Sequence, residues 1–137
     1  MNKKEILTEK DLKLSSENAT AFSAAATSDD SWYVDMPFKQ WVRGTFDKTV
    51  KAFRFIANAP GAHINGAPAE YTISLNSQRK AMLILMENST SYLINVKSGE
   101  KLSISANLDY NKKYVFLVAV ESHSTDQFEV RIDYSSY

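Results

Sequence analysis

Cysteine is absent from this chain of 137 residues, which excludes disulfides, thiolate metal sites and a cysteine nucleophile together. Glycine and proline are sparse, at four and three, and the glycines are too dispersed to form a phosphate-cradling loop. Neither sign of charge prevails, because sixteen basic residues balance sixteen acidic ones. Without a net field, nucleic acid is not an expected partner, nor is an anionic membrane surface. Long apolar runs are missing as well. The longest, residues 81–86 and 114–120, fall far short of the roughly 18 residues that cross a bilayer as a helix, so no membrane insertion is expected. Histidine occurs twice, at His63 and His123. A zinc site needs more ligands than these, and no Gly-x-Ser-x-Gly elbow presents a serine nucleophile. The loop His123-Ser-Thr-Asp126 holds the residue types of a triad, but four neighbours in one loop rarely meet in triad geometry. These absences point away from an enzyme and from a cofactor.

What is present is β-structure. Residues 113–121 are apolar at nearly every interior position and rich in β-branched and aromatic side chains, the composition of a strand covered on both faces. Residues 127–134 alternate strictly, with Phe128, Val130, Ile132 and Tyr134 on one side and Glu129, Arg131 and Asp133 on the other, so one face is buried and one is wet. The polar residues 122–126 between them predict an antiparallel hairpin. Upstream, residues 32–36 and 38–46 read as extended on either side of Pro37. Further strands are expected over residues 51–57, 70–76, 81–86, 92–96 and 101–106, with turns between them, and residues 58–69 form the longest loop, carrying Pro60 and Pro68. Eight or nine short strands without an intervening helix predict an all-β antiparallel sandwich, with a jelly roll as the neighbouring arrangement. At 137 residues this is a single domain, expected over residues 31–137.

The first thirty residues read differently. Residues 1–13 are compatible with a short charged helix bearing a thin apolar stripe, and residues 15–30 are dominated by Ser, Thr, Ala, Asn and Asp, so a polar, flexible or partly helical tail is expected. The stretch 19–26 could be helical if something covered it. The start Met1-Asn-Lys-Lys lacks the apolar region of a signal peptide, while the polar segment 14–30 resembles the leading end of a mature secreted chain. A secreted protein whose signal has been removed is therefore expected, with a cytoplasmic location as the alternative.

Aromatic side chains are the most informative for binding. Trp32, Tyr33, Phe38 and Trp41 fall within ten residues, and flat aromatic faces suit both sugar rings and protein hot spots. Trp32, Tyr33 and Trp41 are the candidate ligand-binding residues. Core packing competes for them: the step from Trp41 to Val42 suggests an inward Trp41, and Trp32, beside the polar tail, is the better candidate for exposure. Asp29, Asp30 and Asp35 could offer hard oxygen ligands to calcium, although no Asp-x-Asp-x-Asp-Gly loop is present to define a metal site.

Taken in order, Gly44-Thr-Phe-Asp47, Ala52-Phe-Arg-Phe55, Tyr71-Thr-Ile-Ser-Leu75, Met82-Leu-Ile-Leu85, Lys113-Tyr-Val-Phe-Leu-Val118 and Phe128-Glu-Val-Arg-Ile132 resemble the strand series of bacterial prepeptidase C-terminal domains and the related collagen-binding modules of secreted peptidases. The resemblance implies a secreted, noncatalytic β-sandwich. Such modules usually carry an Asp-x-Asp ahead of their apolar fourth strand, whereas this chain has Gln78-Arg79-Lys80 there, and the loop between Pro60 and Pro68 has no counterpart. Calcium and collagen binding are therefore not carried over. The function expected is a binding or accessory module for a protein or polysaccharide, monomeric or weakly oligomeric. A self-assembling envelope or matrix protein is the alternative, and a small hydrolase using His63 or His123 is a more distant one.

Overall fold

In the computed structural model, residues 5–6, 33–87 and 92–136 are described, with residues 5, 6, 33, 87 and 92–95 described as backbone. They form eight strands: β1 (Glu5–Ile6), β2 (Tyr33–Asp35), β3 (Val42–Thr45), β4 (Val50–Ile56), β5 (Ala69–Glu87), β6 (Tyr92–Leu108), β7 (Lys113–Ala119) and β8 (Gln127–Tyr134). The loop between β4 and β5 holds one 3-10 turn, Ile64–Gly66. The architecture is an all-β sandwich.

Strand β5 organises the molecule because it belongs to both layers. Its first half pairs with β8, from Tyr71↔Tyr134 to Ser77↔Phe128. Its second half pairs with β7, from Met82↔Ala119 to Glu87↔Tyr114. Strand β6 follows the other side of β5 along nearly its whole length. The change of partner coincides with a bulge: between the pairs Asn76↔Lys101 and Ala81↔Gly99, residues 77–80 face only Glu100. There the Ser77 hydroxyl accepts from the Arg79 N–H at 3.1 Å and donates to the Arg79 carbonyl, closing a local turn within the strand. One sheet thus folds over itself. The first layer is β3-β8-β5-β6, and the second is β2-β4-β7-β5-β6-β1.

The alternating pattern of the strands then places the core between the layers. Phe53, Phe55, Phe116, Val118, Leu83 and Leu85 from the second layer meet Ile73, Leu75, Phe128, Val130 and Ile132 from the first, all buried. Rings interlock through this interior: Phe53 stacks on Phe116 with centroids 5.0 Å apart, and Phe46 lies 4.8 Å from Phe128.

The structure departs from the sequence expectations in four respects. The sheet is not wholly antiparallel, because β2 runs parallel to β4. The expected strands 70–76 and 81–86 are halves of β5, and 92–96 and 101–106 are halves of β6, because the polar stretches between them pair or bulge without ending the strand. Residues 113–121 and 127–134 do not make a hairpin: β7 pairs with β4 and β5, β8 with β3 and β5, so residues 122–126 arch from one layer to the other. Finally, Glu5–Ile6 is a strand paired with Leu93 and Tyr92 of β6, in place of a helix. The rest of the expected helix, and residues 15–30, lie outside the described residues.

Candidate functional site

The wet face of the first layer follows from strand alternation. In β8, Val130 and Ile132 point to the core, so Glu129, Arg131 and Asp133 point out. Their neighbours on β5 are Thr72, Ser74 and Asn76, and beyond them on β6 are Lys101, Ser103 and Ser105. Hydroxyl pairs bridge the strands, Thr72 to Ser105 at 2.9 Å and Ser74 to Ser103 at 3.3 Å. On the other side, Arg43 of β3 lies 3.9 Å from Glu129, and Arg131 donates to Asp133 at 2.9 Å.

One aromatic ring stands on this polar surface. Val42 pairs with Val130 and packs on the core, so Trp41, one residue earlier, projects outward and is 47% exposed. The Arg131 guanidinium lies 5.9 Å from its ring centroid. A depression of about 440 Å³ opens beside it, lined by Trp41, Ser74, Asn76, Lys101 and Ser103 with Leu75 and Leu102 at its floor. A second, of about 230 Å³, adjoins at Asn76 and includes Arg43, Gln78, Gln127 and Glu129. Such a surface can hold a ligand by stacking on one flat face while donors and acceptors of both charges bind its polar groups.

The inward expectation for Trp41 is thereby corrected: the inward and outward alternation exists, with Val42 inward. Of the other candidate aromatics, Trp32 lies outside the described residues, and Tyr33 belongs to β2, at the edge of the opposite layer. Trp41 precedes β3, in the first layer, so the two positions belong to opposite layers. The hydroxyl and amide row from Thr72 to Ser105 was present in the sequence as the polar half of alternating strands, but nothing in a single strand shows that Ser74, Asn76 and Ser103 of that row adjoin a tryptophan.

The candidate calcium ligands are not brought together. Asp29 and Asp30 lie outside the described residues, and Asp35 accepts from Arg54 Nε at 2.5 Å, which holds its carboxyl below the usual carboxylate range. Among the described residues, no group of three His, Asp or Glu side chains is arranged to hold a metal ion. A larger groove of about 540 Å³ lies beside this ion pair, with Phe38, Phe55 and Ile56 as its apolar wall and Lys113 at its rim.

Both ring nitrogens of His63 are occupied. A carbonyl only accepts, so Nδ1–H donates to Ala67 O at 2.8 Å, and Nε2 accepts from the Tyr71 hydroxyl at 2.7 Å. The Ala59 N–H donates to that same hydroxyl at 3.1 Å. His63 therefore clamps the proline-bearing loop onto β5, and its nitrogens are not poised toward solvent as a base. His123 is exposed in the arch between β7 and β8.

The pre-peptidase C-terminal domain of collagenase from Bacillus anthracis superimposes with a TM-score of 0.58 at 11% identity, over 73% of this chain and 93% of that one. The fold is like that of a pre-peptidase C-terminal domain. A Yersinia pseudotuberculosis-derived mitogen superimposes with a TM-score of 0.50 at 16% identity, over 73% of this chain and 88% of that one. No family model matches the sequence, and no curated protein matches it. At these identities the likeness is one of fold, and a pre-peptidase C-terminal-like sandwich carries no function by itself. The expected strand series is present in the expected order. Where such modules were expected to carry Asp-x-Asp, Gln78-Arg79-Lys80 occupies the β5 bulge.

Proposed function

We propose that this chain is a secreted, noncatalytic binding module that recognises a polysaccharide on the wet face of its first layer. The observation that carries the reading is Trp41, 47% exposed beside a shallow depression whose polar members are two hydroxyls, an amide and the Lys101 ammonium. A buried tryptophan would be ordinary in a sandwich; a half-exposed one, held over Arg131, stacks on the apolar face of a sugar ring. Ser74, Ser103, Asn76 and Lys101 line the depression beside it and offer the donors and acceptors that sugar hydroxyls require. That a collagenase carries a domain of this fold supports an accessory role outside the cell.

The test is a fluorescence titration with soluble β-glucans, xylan, galactan and peptidoglycan fragments, together with co-sedimentation on chitin and cellulose. Binding by one of these, weakened at least tenfold by Trp41→Ala with an unchanged far-ultraviolet spectrum, is the expected result. Binding that Trp41→Ala leaves intact, or affinity for an extracellular protein in place of any glycan, overturns the polysaccharide reading. Retention of the protein in the cytoplasm of its source overturns the secreted one.

A further inference from the structure

The depression beside Trp41 has one ionised side chain among its lining residues, Lys101. Strand alternation puts it there: Leu102 packs on the core, so Lys101 and Ser103 project onto the wet face, and both are exposed. Among the described residues no carboxylate forms an ion pair with Lys101. The neighbouring charges on that face are matched: Arg43 lies 3.9 Å from Glu129, and Arg131 donates to Asp133 at 2.9 Å. Glu70 shares this side of β5 but stands six residues from Asn76, the pairing partner of Lys101, about 20 Å away along the strand. The depression therefore carries one uncompensated positive charge, in a chain whose formal charge is zero.

Register fixes how that charge stands to the ring. Val42 pairs with Val130, Val130 with Leu75 and Leu75 with Leu102, one line across the first layer. Trp41 precedes Val42 at one end of the line, and Lys101 precedes Leu102 at the other. Three strand spacings of about 4.8 Å separate the two ends, about 14 Å in all, yet the indole and the ammonium border the same depression of about 440 Å³. The hydroxyls of Ser74 and Ser103, 3.3 Å apart, border it as well. One ligand filling this space meets a flat apolar face, a pair of hydroxyls and a cation together. A neutral sugar stacked there would crowd water from the ammonium and return no anion to it. The carboxylate of a uronic acid, by contrast, sits at the rim of the sugar ring and leaves the ring's face free to stack.

We infer that the polysaccharide taken by this face is an acidic one, whose anionic group, a carboxylate or a sulfate ester, pairs with Lys101 while its sugar ring stacks on Trp41. The inference rests on the polysaccharide reading of the Trp41 face and adds the charge of the ligand to it. Because the whole chain is neutral, selectivity for an acidic polymer comes from this local charge and not from a general field. A charge-assisted bond from the Lys101 ammonium is stronger than the neutral hydrogen bonds around it, so it sets which polymer is chosen, and the ring sets where the polymer lies.

The test uses polymers matched in backbone and different in charge: polygalacturonate against its full methyl ester, and a sulfated galactan against the same galactan after desulfation. In calorimetric titrations at low salt, the full chain should bind at least one acidic polymer about fivefold or more tightly than its neutral counterpart, and the pair that shows this ratio identifies the anionic group. The ratio should shrink toward one in about 1 M salt, where the screening length is about 3 Å. Lys101→Gln should bring it to about one at low salt, and Lys101→Arg should keep it. Lys97→Gln, an exposed position of the same strand outside the depression, should keep it too. Equal affinity for acidic and neutral polymers overturns the inference, and if Trp41→Ala then weakens both, the polysaccharide reading stands without it. A ratio that survives Lys101→Gln also overturns it, because the charge being felt is then elsewhere. Binding of no polymer, acidic or neutral, overturns the inference together with the reading beneath it.

Discussion

Tyr71 holds two structural partners through one hydroxyl. Its oxygen accepts the Ala59 N–H, its hydrogen goes to His63 Nε2, and its ring is buried in the core. Replacing it by phenylalanine keeps the ring but leaves the N–H of Ala59, a buried residue, without its acceptor, which costs about 1–3 kcal/mol. Denaturant unfolding of Tyr71→Phe should show that loss with an unchanged slope. Burial also pushes the Tyr71 hydroxyl above its ordinary value of 10.0. Above that pH the unfolded chain gives up this proton while the folded chain keeps it, so the unfolded state binds fewer protons and stability falls as pH rises. The contribution is complete below about pH 10 and is lost as pH climbs through the folded value. The difference between wild type and Tyr71→Phe should accordingly shrink in alkali, as measured by unfolding midpoints between neutral and strongly alkaline pH.

Gly44 makes a similar point by having no side chain. A Cβ built at this position would lie 2.5 Å from Cζ of Phe128, a fully buried ring already packed against Phe46 and Phe53. Such a ring has no free direction in which to yield. Gly44→Ala should destabilise the domain by about 1–3 kcal/mol through overpacking, and Gly44→Ala combined with Phe128→Leu should recover part of that loss. A deficit in the double variant at least equal to the sum of the two single losses would show that the ring is not what Gly44 accommodates.

At the scale of elements, the bulge in β5 does the work that a turn was expected to do. Residues 77–80 look like a break in the sequence, since Gln78-Arg79-Lys80 is polar and follows Asn76-Ser77. In the fold they bend a continuous strand from one layer into the other and brace the arch between β7 and β8. Arg79 donates to the Ser122 carbonyl at 3.1 Å, and Gln78 Oε1 accepts the Gln127 N–H at 2.7 Å. Arg79→Ala should therefore lower global stability by less than about 1 kcal/mol, because its guanidinium bond is exposed. It should also speed amide exchange at Ser124 and Phe46, whose backbones close the arch. Unchanged exchange at those two amides would show that the brace is not needed.

The same elements show what the sequence could reveal. Strict alternation in residues 127–134 and continuous apolarity in 113–121 have a direct physical counterpart in burial, and both strands are present with the expected faces. Pairing partners have no such counterpart: the polar loop 122–126 would serve a hairpin or an arch equally well, and only the long-range partners of β7 and β8 decide. Trp41 is subject to the same limit. It precedes β3 by one residue, and its outward direction is set by the register Val42↔Val130, which lies in a strand almost ninety positions away.

For the whole molecule, continuity through β5 and β6 decides how the two layers lose structure. Each layer takes half of β5, and the side chains of both layers interleave in one core. A two-domain arrangement could melt in two steps; here, opening either layer exposes the buried face of the other. Phe116 tests this because it is fully buried, stacks on Phe53 and pairs with Leu85, all within the second layer. Phe116→Ala should cost about 3–5 kcal/mol. The loss should appear with a single midpoint whether it is followed by backbone circular dichroism or by the fluorescence of Trp41, in the first layer, in a Trp32→Phe background. Two separated midpoints, with the first layer retaining its Trp41 signal after the second has melted, would mean that the bulge at residues 77–80 is a boundary between folding units and that the wet face can persist without the layer behind it.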